Sequence, residues 1–184
     1  MKPAFDQFPT CLEARLDELR QARFHFLQEV DSAPNDDERV ATPADKWCIA
    51  EIVYHLHLAE TRTAAGLKRA LEASTRGTLA DDVTLRVEWE RVRTMVGQRT
   101  VKVKAPPRVE PCNAPSRAEA IKLIQHSRQE LLATVQAVAY DELLAISMPH
   151  PFAAVGTLTG AGWLSATAFH DLRHIEQIRE MKQS

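Results

Sequence analysis

Two histidines one helical turn apart, His170 and His174, lie in the segment GWLSATAFHDLRHIEQIREM near the end of the chain. On a helix, side chains four residues apart stand one above the other, so both imidazoles can turn toward one ion. At 100° per residue, with His174 at zero, His170 falls at about −40° and Gln177 at about −60°. Trp163, Thr167, Asp171, Ile178 and Met181 fall within about 60° of the same line. The apolar members mark an inward face, yet it also carries two His, an Asp and a Gln. Each polar group buried without a partner costs roughly 1–3 kcal/mol. A bound cation would offset that cost. The spacing alone arises by chance in a chain with seven His. Placement on the inward face is what makes the pair a candidate metal site.

Two imidazoles are too few for tight binding, so a third ligand must come from another element. The other histidines are His25, His55, His57, His126 and His150. His55 and His57 lie about 100° to either side of an apolar stripe centred near Leu56. Periodicity does not choose between them. His25 and His126 read as surface or boundary residues of helices. His150 sits between two prolines in a loop that could reach the end of a bundle.

The elements that must position these residues are helical. Leu12, Leu16, Leu19, Phe26, Leu27 and Val30 recur at three- and four-residue steps and predict a first helix over about 10–31. The run SAPNDDERVATPAD reads as a loop. A second helix is expected over about 48–74, with Ile49, Ile52, Val53, Leu56, Ala59, Thr63, Leu67 and Ala70 along its apolar stripe. A third starts at Ser116-Arg-Ala-Glu119, a capping box, and runs to about 138. The last spans about 159–182. Between the second and third lies a long connection. DDVTLRVEWERVRTMVGQ reads as a short helix or an irregular stretch, with Trp89 as a cover for a site mouth or a partner surface. The stretch after it is too rich in proline to be α-helical. A connection this long predicts that helices two and three are not simple hairpin partners. The expected fold is all-α: one domain over 1–184, a four-helix bundle with a long crossover.

Bulk composition agrees with one globular domain. Hydrophobic residues make up 45% and charged residues 26%, and six glycines are few for a sheet-rich fold. The formal net charge of −2 offers no general field for nucleic acid or an acidic membrane surface. No stretch approaches the ~20 apolar residues needed to cross a bilayer. The N-terminus lacks the apolar core of a secretory signal. Cys11, Cys48 and Cys112 form no CxxC and suggest no disulfide framework. A reduced, cytoplasmic protein is expected.

The second helix carries Trp47-Cys-Ile-Ala-Glu51-Ile-Val-Tyr-His55-Leu56, and the last carries His170-Asp-Leu-Arg-His174-Ile-Glu-Gln177. Together these resemble the paired motifs of the DinB-like, or DinB/YfiT-like, superfamily of metal-dependent enzymes. HPFAAVGTLTGAGWLSATAFHDLRH resembles the lead-in of one of its subgroups. The resemblance implies the same bundle, and it assigns the third ligand to His55 over His57. One divalent ion is implied: zinc or nickel first, with iron a further option, since all three accept imidazole. One departure is Cys48, where the family usually has Ser; Cys is a poor helix cap, and Asp45 is a substitute. As a ligand Cys48 is too far, since seven residues of helix rise about 10.5 Å.

Three neutral imidazoles leave a coordination position open, where water or a small thiol would be acidified. The resemblance implies a metal-dependent hydrolase or a thiol-dependent S-transferase acting on a small molecule, with a low-molecular-weight thiol as a partner and a homodimer as an expected assembly. Gln177 is a candidate for holding a ligand or substrate. Glu60 is a candidate general base, with a buried salt bridge as its rival reading. Asp171 is expected to pair with Arg173, Arg179 or a neighbouring helix rather than to orient an imidazole. Trp47 and Trp163 read as packing residues. The alternative function is a non-catalytic, metal-stabilised bundle serving dimerisation or stress-related binding. A third reading has no metal and three paired core histidines.

Overall fold

The structure is a computed structural model that describes residues 5–34, 47–73, 78–100 and 104–183. Its elements in chain order are α1 (Leu12–Asp31), α2 (Ile49–Ala73), α3 (Asp82–Met95), a 3-10 turn (Pro107–Val109), α4 (Arg117–Gln136), α5 (Tyr140–Ala145), β1 (Ser147–Pro149), β2 (Thr157–Thr159) and α6 (Gly160–Lys182). The four long helices match the expected ones to within two residues at each end. α1 buries Leu16, Leu19, Phe26 and Val30 of the three- and four-residue stripe read from the sequence, and Ala22 with them. α4 opens on the Ser116–Glu119 capping box.

The cap problem at the start of α2 is met by Glu51, whose carboxylate accepts the Cys48 N–H at 2.8 Å. The motif glutamate thus caps the helix that carries His55. Asp45 lies outside the described residues.

Which helices run parallel follows from paired contacts. Arg15 reaches Ala161 and Ser165, Arg23 reaches Asp171, and Arg179 reaches back to Glu29, so α1 and α6 are parallel. Arg128 meets the Leu19 carbonyl while Arg23 meets that of Ile124, so α1 and α4 are antiparallel. α2 packs chiefly on α4 and α6 chiefly on α1. On α2 and α4, His57 lies by Leu123 and Glu60 by Ser127 and Arg128, so these neighbours run parallel and no tight hairpin can join them; the chain needs a crossover.

The first part of that crossover is a helix, α3, capped by Asp81, whose side chain accepts the Thr84 N–H at 2.8 Å. α3 lies against α6. Its Trp89 covers neither a site mouth nor a partner surface. It is 2% exposed, touches Phe8 and Phe169, and donates to Glu18 at 3.0 Å. An indole this large is drawn into the core once a carboxylate accepts its N–H. Trp163 packs as expected and donates to the Met148 carbonyl at 3.2 Å.

The sequence reading did not foresee α5 or the small β1–β2 hairpin, which pairs Ser147 with Thr159 and Pro149 with Thr157. The hairpin delivers the chain to α6, whose cap is Thr159. Thr159 Oγ accepts the Gly162 N–H and donates to Glu88 of α3 at 2.7 Å. A Cβ on Gly162 would lie 2.4 Å from a Glu88 carboxylate oxygen, so any larger residue here must push the Glu88 side chain off the Thr159 cap.

Candidate metal centre

α2 and α6 cross so that His55 faces His170 and His174. The Nε2 atoms of His55 and His170 are 3.2 Å apart, and those of His174 and His170 are 3.1 Å apart. Among the described residues these three form the one group of His, Cys, Asp or Glu with ligand atoms converging in this way, all within 4.8 Å.

The opposite edges of two of these rings fix where the protons are. His55 Nδ1 lies 2.7 Å from the Val109 carbonyl, which can only accept. The proton is therefore on Nδ1, and Nε2 presents a lone pair. His174 Nδ1 lies 2.8 Å from Gln177 Oε1. Arg99 donates to the same Gln177 oxygen at 3.3 Å, and because a guanidinium has no acceptor, the amide must present oxygen there. His174 is accordingly also an Nδ1–H tautomer. Even a proton on His170 Nε2 would leave one N–H shared between the lone pairs of His55 and His174. Neutral lone pairs packed this closely repel unless a cation sits among them. Two nitrogens bound to one zinc at the tetrahedral angle lie roughly 3.3 Å apart. The donor set and its spacing fit a divalent ion.

Electrostatics keep the rings neutral. Burial pushes the His55 pKa below the ordinary histidine value. His170 and His174 are held well below it, first by burial and then by neighbouring histidines and Arg173. Neutral imidazole is the ligating form. Trp47 is more than packing: its indole lies 4.6 Å from the His55 ring and 6.4 Å from that of His174, covering the pair.

His57 turns away toward α4 and stacks on Tyr54. His150 lies outside the three-nitrogen group, against Trp163 at 5.1 Å, with its Nδ1 accepting the Phe152 N–H. His126 is exposed beside Glu130, and His25 packs on the exposed Phe24. Gln177 accepts a hydrogen bond from His174 Nδ1. Glu60 is taken up by the rival reading: its carboxylate pairs with Arg23 and Arg128 and accepts from Ser127. It is buried in the bundle between α1 and α4 and is not one of the converging ligand groups. Asp171 pairs across helices with Arg23 and Arg128 rather than with Arg173 or Arg179. Two contributors escaped the sequence reading. Arg99 carries no signal beyond being one of many arginines, and Val109 acts through a backbone carbonyl that every residue type possesses.

A family model described as the DinB superfamily matches residues 14–178. The chain belongs to the DinB superfamily. Members of this superfamily are typically metal-binding, and this chain carries a three-histidine cluster that could hold a metal ion. Among curated proteins it is similar to "Uncharacterized protein YuaE" of Bacillus subtilis (strain 168), at 22% identity over 166 residues, covering 90% of this chain and 95% of that one. No solved structure matches it. Among the described residues no helix of this DinB-superfamily chain is long and apolar enough to cross a membrane.

Proposed function

We propose that the protein is a metal-dependent enzyme that activates a small thiol, or water, at the His55–His170–His174 centre. The observation that carries this reading is the ligand number. Three imidazoles converge and no fourth His, Cys, Asp or Glu joins them among the described residues, the pattern of an open site rather than a closed structural one. When bound, a divalent ion supplies Lewis acidity to whatever occupies the open position. The chain's own part is to hold three neutral lone pairs in place, through Val109 and Gln177, and to keep water off one side with Trp47.

The carboxylate proposed from sequence as a general base, Glu60, is committed to two arginines. A nucleophile of low intrinsic pKa needs such a base least, and a free thiol near 8.5 is far closer to neutrality than water. That favours thiol-dependent S-transfer over hydrolysis. The substrate is then a small electrophile, with neither nucleic acid nor membrane as partner. A homodimer and a reduced compartment belong to the same reading.

The experiment is metal analysis of protein purified without a histidine tag, followed by a screen of small thiols against electrophilic acceptors. Stoichiometric metal and thiol-dependent turnover are expected, both lost in His170→Ala. Normal turnover in that variant would refute the proposal. Metal whose removal only lowers the melting temperature, without thiol-dependent or hydrolytic turnover, would favour the structural bundle.

A further inference from the structure

Each of the four bundle helices contributes one charged residue to a buried ionic square: Arg23 from α1, Glu60 from α2, Arg128 from α4 and Asp171 from α6. Arg23 binds Asp171 with two hydrogen bonds, at 3.0 and 3.1 Å, and reaches Glu60 at 3.1 Å. Arg128 pairs with Glu60 and reaches Asp171 at 3.1 Å. The guanidinium ends that remain donate to the Ile124 and Leu19 carbonyls. Side-chain exposure is 9% or less for all four residues. Two positive and two negative charges cancel, so the square has no net charge.

Such a cluster is a poor source of stability, because desolvating four ions offsets most of their mutual attraction. Its geometry is what a bundle of apolar stripes lacks. Leucines and isoleucines tolerate a small axial slide, whereas paired guanidinium and carboxylate planes do not. The square also sits on the ligand-bearing helices. Glu60 is five residues beyond His55 on α2, and Asp171 lies between His170 and His174 on α6. These two helices pack mainly on other partners, α2 on α4 and α6 on α1. Their axial register relative to each other is therefore set largely through third parties, and both arginines bridge the two carboxylates. A slide of one residue, about 1.5 Å, would break the 3.2 Å approach of His55 Nε2 to His170 Nε2.

We propose that Arg23, Glu60, Arg128 and Asp171 are positioning residues that lock α2 and α6 in the register at which His55 meets His170 and His174. This rests on the metal-site reading above. Asp171→Asn alone leaves two arginines short of a counter-charge and is expected to unfold the chain. The informative variant is Arg23→Met with Glu60→Leu, Arg128→Met and Asp171→Leu. It removes the square at constant net charge and keeps the interior filled. Helical circular dichroism and a cooperative melt test folding. Zinc affinity, by competition with a chromogenic chelator, and the visible spectrum of the cobalt-loaded protein test the site. A folded variant is expected to bind zinc at least about tenfold more weakly, the effect of losing support around ligands, with an altered cobalt spectrum. Unchanged affinity and spectrum in the folded variant would overturn the proposal while leaving the metal centre standing. Loss of the cooperative melt would overturn it too, by making the square a folding requirement. Wild-type protein that takes up no metal would remove both readings at once.

Discussion

Replacing Gln177 with Met keeps the length of the side chain and deletes the oxygen that accepts the His174 Nδ1–H at 2.8 Å. The effect should fall on the metal-bound state. Without metal the His174 proton can move to Nε2 and donate to His170 Nε2, 3.1 Å away, so the ring finds a new partner. With metal, Nε2 is the ligating atom, and Nδ1–H is left buried without an acceptor. An unmade buried hydrogen bond costs about 1–3 kcal/mol, which is roughly a 5- to 150-fold loss of affinity. The variant should thus bind zinc some ten- to a hundredfold more weakly, in line with what outer partners of metal ligands contribute. Arg99 keeps its two bonds to Glu180 at 3.0 and 2.9 Å, so the metal-free fold loses little. At zinc a thousandfold above the wild-type dissociation constant, metal adds about 4.1 kcal/mol, against about 2.7 kcal/mol for a tenfold weaker site. For a chain of this size that difference is about 3–6 °C of metal-induced rise in melting temperature. Zinc competition at pH 7.5 and melts with and without zinc measure both quantities. Affinity within twofold of wild type would refute the tautomer argument, as would a loss of stability confined to the metal-free protein.

Two further outcomes follow from the same geometry. Because His55, His170 and His174 have folded pKa values depressed below the unfolded one, the unfolded state takes up more protons below about pH 6.5. Stability should be flat above that value and fall on acidification, by at most about 1.4 kcal/mol per pH unit for each proton gained; urea unfolding at pH 7.5 and 5.5 would show it, and stability that rises toward pH 5.5 would contradict it. Gly162→Ala should cost about 2 kcal/mol by driving Glu88 off the Thr159 cap, seen as a lower melting temperature that is largely masked when Glu88 is already Ala.

The fold was legible because its signals are repeated. Apolar residues recurring at helical spacing mark each long helix, and no single one of them decides the matter. The inward face of α6 was equally legible: His170, His174 and Gln177 emerge together where the helical wheel places them. The third ligand was not. His55 and His57 sit symmetrically about Leu56, and what separates them is which neighbour covers each flank, α6 or α4. That is a tertiary fact, and the motif beginning at Trp47 carried it where periodicity did not. Glu60 shows the opposite failure. A carboxylate near a metal helix invites a catalytic reading, and only the arginines on α1 and α4, distant in sequence, reveal that it is spent on ion pairs. α5 and the hairpin were missed because elements of three to six residues are too short to display a period.

The proline-rich connection, which has no readable motif, contributes to the centre through its backbone. Its 3-10 turn is tied to α2 twice, by His55 Nδ1 on the Val109 carbonyl and by Arg62 Nε on the Arg108 carbonyl at 3.0 Å. Pro106 and Pro107 open that turn, and the Val109 N–H closes on the Pro106 carbonyl at 2.9 Å. Side-chain substitution at Val109 would leave its carbonyl in place, so the informative change is to the stiffness of the turn. Pro106→Gly with Pro107→Gly keeps every hydrogen bond available and enlarges the unfolded ensemble, at about 0.4–1 kcal/mol per site. If the turn were only a linker, stability would fall by that amount and zinc affinity would stay put. If it is the clamp that selects the His55 tautomer, part of the ordering cost must be met each time metal binds. Zinc affinity should then fall severalfold, less than in Gln177→Met because the acceptor is loosened rather than deleted. Wild-type affinity in the doubly substituted protein would show that α2 alone orients His55.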